Sequence, residues 1–276
     1  MIRLPSAIAK HKAAIDKRLV DYLTQKKREL AKVNTWGADA CDRLMPFITS
    51  GKTVRGSLVV FSYLIFKKTV TPPVLGAAAA IELLHSGLLI HDDIMDQDTK
   101  RRGNAAIHSQ YQKLSDIHAG ESMGISVGDL AFFLAFELLA PHVVPLVSSE
   151  LARVSVAQMQ DVVPVGSSED DIMRLYKYKT ARYTLSMPLA VGAHLAKSPQ
   201  KTFEKLETLG EHMGILYQIR DDELDKTAQV VPADRLKQLK EKHIKQSNIL
   251  IASLPISANA KADLFALSNF CGIRKK

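Results

Sequence analysis

Little in this chain of 276 residues marks it for export, membrane insertion or thiol chemistry. Its only two cysteines, Cys41 and Cys271, lack the spacing of metal ligands and fit a reducing compartment. Aromatic residues make up 6%, and no recognisable nucleic-acid motif or aromatic platform accompanies the basic charge, so no nucleic-acid partner is expected. No apolar signal core opens the chain, because residues 1–35 form an amphipathic, Lys-rich run. The most apolar stretches, 74–90 and 127–147, are interrupted by Glu82 and His85 and by Asp129, Glu137, Pro141, His142 and Pro145. Neither makes a convincing membrane span, so no transmembrane segment is expected and a cytoplasmic location follows. Strand-like alternation is scarce, and so are long flexible linkers and internal repeats.

What remains is a helical globular composition, 46% hydrophobic and 24% charged. Apolar spacing predicts helices over about 4–32, 37–48, 53–68, 73–92, 104–117, 121–140, 145–162, 169–177, 179–196 and 200–225, with a further set after 233. Breaks are expected at Pro46, Pro72-Pro73, Arg101-Arg102-Gly103, Pro141, Pro145 and Pro164 to Ser168. A single all-α domain over 1–276 is the economical expectation. The formal charge of +8 and a pI near 9.3 suit an anionic partner.

Two aspartate clusters organise the rest. Asp92-Asp93-Ile94-Met95-Asp96 and Asp221-Asp222-Glu223-Leu224-Asp225 each carry carboxylates at i, i+1 and i+4, at the end of a helical apolar stretch. Positions i and i+4 share a helix face, so each pattern crowds like charges that cations must neutralise. Hard oxygen ligands of this kind suit Mg²⁺, which also takes water and phosphate oxygens. One such motif alone is more often a solvated helix end. Two of them, about 130 residues apart, predict facing helices with a polyphosphate between them.

Basic and amide groups fit that prediction. Gly51-Lys52-Thr53-Val54-Arg55-Gly56 sets Lys52 and Arg55 at i and i+3, at the opening of a helix, as a phosphate cradle. His85 lies two turns before Asp92, and Arg101-Arg102-Gly103 follows Asp96 with guanidinium forks. Gln158 and Asp161 share a face, Lys179-Thr180 begins a helical window, and Gln218 lies one turn before the second cluster. Each alone would be surface or structural; together they form a set.

In that order, over about residues 45–226, the set resembles the trans-isoprenyl diphosphate synthases, the polyprenyl synthetase family. The resemblance implies an isoprenoid-synthase helical bundle around a deep central cavity, usually a homodimer. It implies Mg²⁺-dependent head-to-tail joining of an allylic diphosphate to isopentenyl diphosphate. Asp92, Asp93 and Asp96 would hold Mg²⁺ on one side of the allylic diphosphate, Asp221 and Asp222 on the other, with Asp225 in support. Arg101 and Lys179 would bind that diphosphate, while Lys52, Arg55, His85 and Arg102 would bind isopentenyl diphosphate. Thr180 and Gln218 would line the reacting centre.

Product length would be set by Gly87, Leu88 and Leu84, the turns before Asp92. With no aromatic there, the pocket is expected to be open at its first turn. That favours geranylgeranyl diphosphate, with farnesyl and longer products as alternatives. The family's Gly-Lys and further Lys after the second cluster are replaced by Lys226 to Lys237 without that Gly; Lys226, Arg235 and Lys237 are the candidates to substitute. A class I terpene cyclase needs only one diphosphate, and a non-catalytic partner subunit commonly loses aspartates. The second basic pocket and the two intact clusters weigh against both.

Overall fold

The computed structural model describes residues 4–166, 168–225 and 231–273. In chain order the helices are α1 (Ser6–Ala9), α2 (Lys12–Leu30), α3 (Thr35–Thr49), α4 (Val54–Leu64) and α5 (Pro72–Met95). A hairpin of β1 (Lys100–Arg101) and β2 (Asn104–Ala105) precedes α6 (Ile107–Gln112), α7 (Ile117–Leu138), α8 (Val144–Val162) and α9 (Glu169–Leu175). A π-helix (Tyr176–Ser186) then leads into α10 (Met187–Leu195), α11 (Gln200–Asp225), α12 (Ala233–Ser253) and α13 (Ala258–Ile273). The fold class is all-α, as the periodicity predicts.

Several details differ from the sequence expectation, beginning with the helix expected over 4–32, which is divided into α1 and α2. Pro46 lies inside α3 instead of ending it. The predicted helix over 104–117 is a hairpin followed by the short α6, and α7 begins afresh behind Asp116, whose side chain accepts from Ala119 N at 2.7 Å. The two helices predicted on either side of residue 178 are joined by the π-helix, so Lys179 and Thr180 sit within a helix and do not open one. Gly210 and Gly214 of α11 accommodate this wider coil. A Cβ at either would lie 2.4 and 2.3 Å from the Cα atoms of Ser186 and Ala181. Arg182 anchors it further, donating to Glu150 of α8 at 2.7 and 2.8 Å and to Glu207 of α11 at 2.6 Å.

The chain divides into two compact units. One comprises Lys12–Gly56 and Leu75–Ala140; its core is built from Ile15, Leu19 and Leu23 of α2, the apolar run of α5 and Leu134 of α7. Tyr22 ties α2 to α7 by donating to Leu134 O at 2.9 Å. The other comprises Met1–His11, Ser57–Val74 and Pro141–Lys276. Within it, Ala181, Ile215, Ile219, Leu236 and Leu239 form a buried cluster against which Ile172, Met173 and Tyr176 pack.

By length and composition alone, α5 and α7 could each cross a membrane. In α5, however, 72% of the apolar window is buried inside the protein, the mark of a core helix; in α7 the share is 39%.

Candidate active site

The first cluster is shaped by how α5 ends. Gln97 adopts a left-handed φ of 57°, and the amides of Gln97 and Asp98 close back on Ile94 O and Asp93 O at 3.2 and 2.8 Å. This Schellman closure leaves Asp92 and Asp93 in the last turn and exposed Asp96 just beyond it. Carboxylates there face the negative end of the helix dipole, and the last turn carries no basic residue. Compensation comes from Arg101, whose Nε donates to Asp93 Oδ1 at 2.5 Å and whose Nη2 lies 3.4 Å from Asp92 Oδ2. Asp93 is fully buried, and burial raises its carboxyl above the usual range against the pull of Arg101. Its Oδ2 has no hydrogen-bond partner among the described residues.

Adjacent arginines serve different neighbours. Arg102 and Gly103 form the two-residue hairpin turn with φ of 52° and 80°, both positive, as a type I′ turn needs. Whereas Arg101 reaches the aspartates, Arg102 Nη1 lies 3.3 Å from Phe47 O and 3.4 Å from Ser50 Oγ. Gly51 makes room for it, since a Cβ there would lie 2.8 Å from that Nη1.

Beside it, Arg55 Nη1 lies 3.0 Å from His85 Nε2. A guanidinium can only donate, so Nε2 accepts and a neutral His85 carries its proton on Nδ1. Burial first, then Arg55, Arg102 and Arg101, hold the imidazole well below its ordinary value. Lys52 is exposed and precedes α4, so it is not on the helix with Arg55. Glu82 is the residue that sequence reasoning passed over here. Buried one turn before His85, it accepts from Gly56 N at 2.7 Å and so caps the first turn of α4. The glutamate three residues before His85 on the same face was the available signal.

The second cluster ends α11, again with no base in the last turn. Here the support of Asp222 is neutral among the described residues. Thr180 Oγ1 donates to Gln218 Oε1 at 2.6 Å, and Gln218 Nε2 donates to Asp222 Oδ1 at 2.7 Å. The Tyr176 hydroxyl donates to Asp222 Oδ2, a contact that the sequence did not announce. Lys179 pairs with Asp161 of α8. Asp221 is partly exposed, and Asp225 closes the helix. Of the candidate substitutes for the family's lysines, Lys226 lies outside the described residues, Arg235 is paired with Glu169 at 2.8 Å, and Lys237 is exposed. Lys240, not singled out from sequence, reaches Glu223 at 2.8 Å.

The turn before Asp92 packs closely against α7. Leu84 is fully buried and Leu88 partly so, but a Cβ on Gly87 would lie 2.5 Å from the ring of Phe132 and 2.9 Å from Gly128 O. Gly87 therefore serves close packing against α7, and Phe132 fills the space that a side chain at 87 would take.

Among the described residues, no three His, Cys, Asp or Glu side chains form a group that could hold a metal ion unaided. The donors nevertheless fit Mg²⁺. They are hard carboxylates at helix ends with no basic residue in the last turn, one with an orphaned buried oxygen, and this ion keeps water and phosphate oxygens in its shell.

Known proteins resemble the chain in sequence and in fold. The polyprenyl synthetase family profile matches residues 39–240. A short chain isoprenyl diphosphate synthase of Methanocaldococcus jannaschii is 34% identical over 188 residues, 63% of this chain and 54% of its own. The farnesyl diphosphate synthase of Bacillus subtilis is 32% identical over 164 residues, 53% of this chain and 52% of its own. The chain thus spans about half the length of these relatives. In fold it is similar to a geranylgeranyl pyrophosphate synthase of Corynebacterium glutamicum, solved with isoprenyl diphosphate and magnesium. That match has a TM-score of 0.84 at 20% identity over 97% of this chain and 99% of the other. With the profile running through both aspartate clusters on this fold, the chain belongs to the polyprenyl synthetase family.

Proposed function

We propose that the chain is a Mg²⁺-dependent trans-prenyltransferase that joins isopentenyl diphosphate head to tail with an allylic diphosphate. The observation that carries this is the family match over 39–240, which contains every candidate residue from Lys52 to Asp225 and supports reading the chain as one synthetase domain. Mg²⁺, when bound by Asp92, Asp93, Asp96, Asp221, Asp222 and Asp225, supplies charge stabilisation for the departing diphosphate. Arg101 and Lys179 fix that diphosphate, so the C–O bond breaks with its developing charge already matched. Arg102, Arg55, Lys52 and the Nδ1–H of neutral His85 hold isopentenyl diphosphate with its double bond free to attack. Thr180 and Gln218 line the reacting centre, and apolar walls exclude water from the allylic cation. The final proton goes to the released diphosphate, so no protein base is assigned.

Geranylgeranyl diphosphate is the favoured product; Phe132, the bulk beside Gly87, is the residue to vary in testing it. A homodimer is supported by exposed apolar side chains on two helices: Ile125 and Phe133 of α7, and Val156 and Met159 of α8. The test is incubation with Mg²⁺, isopentenyl diphosphate and each of dimethylallyl, geranyl and farnesyl diphosphate, with product mass as readout. Elongated prenyl diphosphates support the proposal. A folded protein that elongates none of the three contradicts it.

A further inference from the structure

Tyr176 has no part in the family pattern that the sequence displays, yet its hydroxyl ends on Asp222 Oδ2 while Gln218 holds Oδ1 at 2.7 Å. An ionised carboxylate has about four lone-pair sites, so among the described residues these two donors occupy one on each oxygen and leave one on each for a ligand. With both oxygens tethered, rotation of the carboxylate is blocked. The Tyr176 ring is itself packed against the buried cluster of Ile215, Ile219 and Leu236, so its hydroxyl is presented from a fixed wall. Tyrosine has few rotatable bonds and needs a partner for its hydroxyl when buried.

We propose that Tyr176 is a positioning residue for cation capture at the second aspartate cluster, holding Asp222 in the rotamer that meets a divalent metal. The inference rests on the reading of Asp222 as a metal ligand. What distinguishes this clamp is that, among the described residues, it is uncharged. At the first cluster Arg101 orients its aspartates and cancels part of their charge, whereas a phenol and an amide orient Asp222 and leave its charge for the cation. Loss of such an outer partner typically weakens metal binding by about 10–100-fold.

The test uses the full chain, Tyr176→Phe and Asp222→Asn. Each is titrated with Mg²⁺ at fixed inorganic diphosphate, reading the rise in melting temperature, and then with Mg²⁺ in the turnover assay. The expected result for Tyr176→Phe is a Mg²⁺ midpoint raised about tenfold or more in both readouts. Turnover at saturating Mg²⁺ is expected to stay within about threefold of the parent. A purely structural role would lower the metal-free melting temperature and leave the midpoint in place. That outcome, with Asp222→Asn shifting the midpoint, overturns the role of Tyr176 alone. If Asp222→Asn also leaves the Mg²⁺ response unchanged, the second cluster is not a metal site and both readings fall.

Discussion

Two copies of one sequence pattern are held in place by opposite means. At the end of α5, Asp93 is fully buried and bound to the guanidinium of Arg101. At the end of α11, Asp222 is partly exposed and bound to a phenol and an amide. A buried carboxylate needs a counter-charge, because desolvation without one costs several kcal/mol. A half-exposed one keeps water's help and needs only orientation. The same i, i+1, i+4 spacing therefore yields a charge-compensated pair in one unit and a charge-preserving clamp in the other.

The comparison is broken most severely by removing the carboxylates. Asp92→Ala and Asp221→Ala are each expected to lower turnover by about a thousandfold or more, with isopentenyl diphosphate binding retained. Steady-state kinetics beside equilibrium binding of that substrate check this, and equal loss of both would contradict the division of labour. Next comes Arg101→Met, which strands Asp93 as an uncompensated buried charge. It should cost about 3–5 kcal/mol in denaturant unfolding without ligands. The paired change with Asp93→Asn should recover much of that loss.

The unit carrying the second cluster has its own sensitivity. His212 of α11 and His243 of α12 face each other Nδ1 to Nδ1 at 2.9 Å, so a single proton can sit between them. Burial, then His212 and Lys242, lower His243 from 6.5 to about 4. The unfolded chain therefore binds more protons between these values. The stabilisation is fully present above about pH 6.5 and is lost as pH falls toward about 4, amounting to about 3 kcal/mol at most. Thermal unfolding across that window checks the sign, and His243→Leu should lose less stability than the parent as pH falls; equal losses in the two proteins would refute it. The smallest expected effect is Gly87→Phe, which forces a ring into the space held by Phe132 and should cost about 1–3 kcal/mol. Its melting temperature should fall, and unchanged stability would show that α7 can move aside.

Much of this site is legible in sequence because its parts are local. Helical periodicity brings Asp92 and Asp96 to one face, and the adjacency of Arg101 and Arg102 is visible in the chain. What the two arginines touch is not, since a type I′ turn sends one to Asp93 and the other to Phe47. Glu82 reads as a charge that interrupts an apolar run, and only its proximity to Gly56 N makes it a helix cap. Tyr176 lies 46 positions from Asp222, beyond the reach of any spacing rule.

From the sequence alone came the all-α class, the two carboxylate clusters and the family's order of basic groups, because periods and motifs depend on neighbours along the chain. Tertiary structure decided the rest. The π-helix forms where Gly210 and Gly214 admit close backbone, and the space at Gly87 is taken by Phe132 of another helix. Which partner supports each aspartate depends on contacts between segments far apart in the chain. Such contacts are fixed by packing, and no local pattern encodes them.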